Sequence, residues 1–83
     1  MYVVYVLRSL KDKNLYIGQT SDLEKRIREH NEGKVVSTCF RRPFVLVGNK
    51  LFKSHREARW FEYNLKKHGD KKRKFIKELE AFA

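Results

Sequence analysis

The sequence predicts an α/β chain of the α+β type, a small three-stranded antiparallel sheet flanked by helices in the order β-β-α-β-α-α, within a single domain of residues 1–83. Three observations carry that expectation. The chain opens on two β-favouring apolar runs joined by a turn too short for a crossover, so they pair antiparallel. Two Ser-x-x-Glu strings, at Ser21 and Ser54, announce helix starts. A chain of 83 residues forms one domain with a small core, hiding only about 60% of the surface that its unfolded form exposes.

Tyr2 to Leu7 is continuously apolar, the pattern of a central strand covered on both faces. A polar turn from Ser9 to Asn14 leads to a second strand, Leu15 to Gly18. With residues 9–12 as the loop and Arg8 paired to Lys13, Tyr5 falls opposite Tyr16, and opposed residues share a face. Ser21-Asp22-Leu23-Glu24 reads as a capping box, with Asp22 and Glu24 suited to the positive end of the helix dipole. That first helix ends near Gly33, and an irregular basic stretch from Lys34 to Arg42 follows, bounded by Pro43. Phe44 to Phe52 is the third strand, with Gly48-Asn49 marking either a bulge or a tight turn. Ser54 to Glu57 caps a second helix that starts at about His55 and stops near Gly69. A last helix covers about Lys71 to Ala83, with Phe75, Ile76, Leu79 and Phe82 on one stripe.

The charge balance points to the partner. Lys plus Arg number 20 against 10 Asp plus Glu, for a net charge of +10, which suits a polyanion, and phosphate backbone is the commonest one. No apolar run of about 18 residues and no signal-peptide layout is present, so a soluble, unexported, cytoplasmic protein is expected, free or on the nucleoid, with no membrane and no obligate protein partner. The single cysteine, Cys39, has no partner for an internal disulfide, which fits a reducing compartment; it reads as a small, partly buried thiol.

Each of the first two helices carries a charge on the stripe that should face the sheet. In the first the stripe is Leu23, Arg26, Ile27 and His30; in the second it is Ala58, Phe61, Glu62 and Leu65. Charged groups are almost never fully buried unless paired, because desolvating an ion costs several kcal/mol. Two accounts fit: an Arg26 to Glu62 ion pair beneath the sheet, or a cleft that both residues line and where phosphate and metal bind. Singly, Tyr5 and Tyr16 suit any strand, and His30 has no second His or Cys at zinc spacing. Together they offer two phenols, a guanidinium, an imidazole and a carboxylate able to converge.

That constellation resembles the GIY-YIG nuclease superfamily, in particular its single-domain members, over essentially the whole chain. The first signature tyrosine matches Tyr5 in Val3-Val4-Tyr5, and the second signature is met literally by Tyr16-Ile17-Gly18. The arginine of the following helix matches Arg26, the histidine one turn later His30, and the metal-binding glutamate of the next helix Glu62. Two departures stand out: valines replace the glycine and isoleucine of the first signature, and Gln19 stands where some members carry a lysine.

The resemblance implies a metal-dependent endonuclease that hydrolyses phosphodiester bonds, in DNA rather than RNA, structure-specific or repair-related. It implies one Mg²⁺ or Mn²⁺ ion on Glu62, Arg26 as phosphate clamp, Tyr5 or Tyr16 as base, and His30 orienting a phenol or a water. A free phenol ionises near pH 10, so such a base needs neighbouring positive charge. Mg²⁺ keeps most of its waters and often takes one carboxylate, so a lone Glu62 suffices. A non-catalytic basic nucleic-acid-binding module is the rival reading, and a basic structural protein of ribosome or nucleoid a third; intact Tyr5, Tyr16, Arg26 and Glu62 favour the enzyme.

Overall fold

In the computed structural model, which describes residues 1–81, the elements follow the expected order. They are β1 (Tyr2–Ser9), β2 (Leu15–Thr20), α1 (Leu23–Asn31), a short 3-10 turn (Cys39–Arg41), β3 (Phe44–Phe52), α2 (His55–Lys67) and α3 (Gly69–Ala81). The sheet is antiparallel in the order β2-β1-β3. β1 is central, and Val3 through Leu7 are all buried, as a strand covered on both faces must be. Alternation splits its side chains into two cores. Val4 and Val6 join Ile17, Ala58, Leu65 and Phe75 under α2 and α3, while Tyr5 and Leu7 join Phe44, with Tyr16, Leu23 and Ile27 packed against them under α1.

The hairpin register differs from the expected one. Tyr5 faces Gly18, Leu7 faces Tyr16 and Arg8 faces Leu15, so the strands are displaced by two residues from an Arg8–Lys13 pairing. The loop is longer because Ser9 organises it: its hydroxyl oxygen accepts from the amides of Lys11 and Asp12, both at 3.1 Å, and Lys13 takes a left-handed φ of 66°. A slip of two leaves side chains on the same face, so Tyr5 and Tyr16 still share one, now diagonally.

Asp22, not Ser21, caps α1, its carboxylate accepting from the Lys25 amide at 3.2 Å. The helix closes in a Schellman arrangement: the Lys34 amide reaches Glu29 O at 3.0 Å, and Gly33 takes φ +78°, a conformation that costs a side-chain-bearing residue. Ser54 caps α2 as expected, accepting from Glu57 N at 3.2 Å. β3 is one strand with a bulge, since Val6 pairs with Gly48 and Leu7 with Leu46, leaving Val47 as the extra residue. Gly69 does not separate the last two helices but opens α3, with His68 the extended hinge after α2. Phe75, Ile76 and Leu79 pack on the core as expected; Phe82 lies outside the described residues.

The irregular connector is tied to the hairpin loop. Ser9 Oγ donates to Arg41 O at 2.5 Å, Leu10 N donates to Pro43 O at 2.8 Å, and Arg41 Nε meets Asp12 Oδ2 at 2.6 Å. Asn31 at the end of α1 fastens the start of β3, accepting from Phe44 N at 2.7 Å and donating to Phe44 O at 3.2 Å. Cys39 is free and partly buried, its thiol donating to Val36 O at 3.3 Å. These ties fix the connector over α1 and the sheet face that carries Tyr5.

Candidate active site

On the α1 face of the sheet, Tyr5 and His30 are both buried, at 1% and 0% exposure. The Tyr5 hydroxyl lies 2.9 Å from His30 Nε2, and Thr38 Oγ1 lies 2.8 Å from His30 Nδ1. Thr38 Oγ1 is also 3.4 Å from the Val35 carbonyl, which can only accept, so the hydroxyl hydrogen is assigned to that carbonyl. Its oxygen then accepts Nδ1–H, leaving the Nε2 lone pair to accept the Tyr5 O–H. Burial pushes the His30 pKa down, and the Arg26 charge acts in the same direction against a weaker pull from Glu29, so the imidazole is neutral at pH 7.

Tyr16 stands beside this chain on β2, an edge strand. Its ring meets His30 edge-on with centroids 5.0 Å apart and lies 6.3 Å from the Tyr5 ring. Unlike Tyr5, it is only half-buried. Gly18, opposite Tyr5, is the glycine of the Tyr-Ile-Gly string. A β-carbon there would lie 2.5 Å from Tyr5 Oη and 3.1 Å from Tyr16 Cε1. The Tyr5 phenol therefore fills the space that Gly18 leaves open.

Arg26 emerges at the rim of the same face, 3.5 Å from Glu29 one turn on, with about a third of its side chain in solvent. Burial lowers its pKa, but its interactions with Tyr5 and Glu29 together outweigh that, and it stays charged. Burial raises the Tyr5 pKa to about 12; Tyr16 and Glu62 push the same way, and Arg26 acts against them. Glu62 stands on α2, which covers the other side of the sheet. Gln19, on the edge strand β2, shares the face of Val4 that α2 covers, and on that side it donates to Glu62 Oε2 at 3.3 Å.

The Arg26 to Glu62 ion pair does not form: Glu62 pairs instead with Lys66 at 3.5 Å, one turn along α2. Whether this corner suits a hard divalent ion can be judged from its donors. Glu62 supplies an oxygen once the exposed Lys66 swings aside, and Gln19 Oε1, buried without a partner, adds a carbonyl acceptor next to it. Oxygen donors of that kind fit a largely hydrated cation. No cluster of three or more His, Cys, Asp or Glu is found among the described residues, so protein ligation would rest on that carboxylate with Gln19 Oε1 beside it.

Two contributors escape a sequence reading. Thr38 sits in the irregular connector with no periodicity to flag it; the only hint is that a buried imidazole needs a partner for each ring nitrogen. Gln19 is visible as a departure from a lysine but not as the holder of Glu62.

A small antiparallel sheet thus carries paired phenols, a neutral histidine and a rim arginine on one face, and a carboxylate at its edge. The sequence model of the GIY-YIG catalytic domain matches residues 1–75, and the chain belongs to that family. Among its relatives are small UPF0213 proteins. YazA of Bacillus subtilis is 41% identical over 75 residues, covering 89% of this chain and 75% of YazA, and the Bacillus pumilus UPF0213 protein is 42% identical over 77 residues, covering 90% and 78%. The solution NMR structure of a UPF0213 protein from Bacillus halodurans aligns with a TM-score of 0.57 at 36% identity, covering 96% of this chain and 86% of that one. An endonuclease-type function follows from the family.

Proposed function

We propose that the chain is a divalent-metal-dependent endonuclease of the cytoplasm that cuts DNA, at structured or damaged sites, with Tyr16 as the base and Glu62 as the metal ligand. The observation that carries the choice of base is the contrast between the two phenols. Tyr5 is closed off from solvent, its proton is directed at His30, and its pKa is pushed up to about 12. Tyr16 shares the face, stands on the edge strand and is only partly buried, so an attacking water can reach it.

Arg26 grips the scissile phosphate from the rim of α1 and stabilises the charge that develops on its oxygens. His30, held by Thr38, anchors Tyr5, and the rigid Tyr5 ring in turn backs Tyr16. An Mg²⁺ or Mn²⁺ ion on Glu62 would supply charge neutralisation at the phosphoryl oxygens and help for the leaving oxygen. Gln19 steadies the carboxylate through its hydrogen bond to Oε2.

Cleavage of flap, branched and single-stranded DNA, with matched RNA strands alongside, tests the reading when Mg²⁺ or Mn²⁺ is supplied. Glu62→Gln and Tyr16→Phe should each lose roughly 10²- to 10⁴-fold in rate, the range general base catalysis supplies, while Tyr5→Phe keeps measurably more activity. Unchanged cutting by both Glu62→Gln and Tyr16→Phe would sink the assignment, and a larger loss in Tyr5→Phe than in Tyr16→Phe would move the base to Tyr5.

A further inference from the structure

Helix α2 buries Ala58 and Leu65 and packs Phe61 on the core, and among the described residues its opposite face has no partner. At about 100° per residue, Arg56, Arg59, Trp60, Tyr63 and Lys67 fall on one outward stripe. The composition of that stripe is unusual. Trp60 is 67% exposed and Tyr63 51% exposed, yet the two rings are stacked, with centroids 5.9 Å apart and planes 21° from parallel. Lys67 Nζ lies 5.5 Å above the Tyr63 ring, and Arg56 and Arg59 line the same recess of about 610 Å³.

Trp60 also borders a larger groove of about 860 Å³ where α2, α3 and the end of β3 meet. Its lining includes Phe52, Phe61, Leu65 and Phe75. Both hollows are of the size that holds small ligands. Neither contains Tyr5, Tyr16, Arg26 or His30, and Glu62 is the only candidate catalytic residue on the same helix.

Paired aromatic planes flanked by guanidinium and ammonium groups match the chemistry of unpaired bases on a phosphate backbone. Every base offers a π-face to stack on, while the cations track the strand. A duplex keeps its bases stacked on one another and has none to lend. We propose that the outer face of α2, with Trp60 and Tyr63 as its platform, binds single-stranded nucleic acid beside the cleavage site. This rests on the reading of the chain as acting on nucleic acid and adds to it a preference for substrates with an unpaired arm.

The sole tryptophan is its own reporter. The full chain, in EDTA so that nothing is cut, is titrated with an oligo(dT) of about 12 nucleotides, within the span such platforms cover, with an abasic strand of equal length, and with a duplex. Quenching of Trp60 emission by oligo(dT) but not by the abasic strand is expected. Read by anisotropy of a labelled strand, Trp60→Ala and Tyr63→Ala should each weaken oligo(dT) about fivefold or more and duplex binding less than about twofold, as loss of one stacked base requires. Both side chains are exposed, and circular dichroism checks that both variants fold. Equal binding of the abasic strand, equal losses on duplex and single strand, or a Trp60 response to anionic vesicles in place of oligo(dT) overturns the proposal while leaving the nuclease reading intact. Failure to bind any nucleic acid overturns both.

Discussion

Gly18 shows how tightly single residues are constrained at this site. Its missing side chain is replaced by the Tyr5 phenol, and a β-carbon would sit 2.7 Å from Tyr5 Cζ, closer than such contacts tolerate. Gly18→Ala must therefore displace the ring that His30 anchors. The expected cost is about 1–3 kcal/mol of stability, the usual penalty of overpacking, together with loss of cleavage. Gly69→Ala, where an added β-carbon meets nothing within 4 Å, is the matched control, and thermal melts of the two variants make the comparison. Equal melting temperatures would show that Tyr5 yields without strain. The Tyr5–His30–Thr38 chain makes the same point chemically: each hydrogen bond fixes the next, and the neutral imidazole follows from burial and the Arg26 charge.

Among the elements, the connector between α1 and β3 carries most of the consequence, because it presents Thr38 to His30 while having almost no regular structure. It is held in place by the hairpin loop, chiefly through Arg41 on Asp12. That guanidinium, helped by the Asn14 amide, holds the Asp12 carboxyl down to about 2 from an ordinary 3.8. A carboxyl whose pKa is depressed on folding stabilises the fold above its unfolded value, and the effect is lost as pH falls through its folded value. Wild type should thus be the more stable of the pair with Asp12→Asn at neutral pH, and their melting temperatures should converge between pH 4 and pH 2. A gap that stays constant across that window would mean that the ion pair does not hold the loop.

At the scale of the whole molecule, the net charge of +10 means that a bound polyanion releases counterions. If about four phosphates are neutralised, log affinity should fall with a slope of about −3.6 against log salt, roughly 150-fold between 50 and 200 mM. Filter binding or anisotropy across that range measures it, and a flat response would remove the polyanion from the account. The sheet also separates two sets of groups. The α1 face holds the phenols, histidine and arginine, whereas α2 supplies a carboxylate at the sheet edge and an aromatic stripe on its outer surface.

Element types and order were legible because periodicity, capping residues and short connections are local signals. Ser54 caps its helix as the string announces, and the all-apolar run of β1 forces a central strand. Tyr5 and Tyr16 sharing a face was legible too, although the register was not, since a slip of two preserves facing. The true register depended on how Ser9 and Lys13 shape the loop, and the cap of α1 on which of two adjacent polar side chains reached the free amides.

By itself the sequence determined the set of reactive groups, their assignment to strands and helices, and the surplus of positive charge. Only the tertiary structure decided which of them touch. Arg26 and Glu62 looked alike as charges on inner stripes, yet their helices cover opposite faces, so one pairs with Glu29 and the other with Lys66 and Gln19. The same holds for Trp60 and Tyr63, ordinary aromatics in a helix until packing leaves them outside. Side-chain type and local period are written residue by residue, but which face of a sheet a helix covers is settled by the burial of all its neighbours at once.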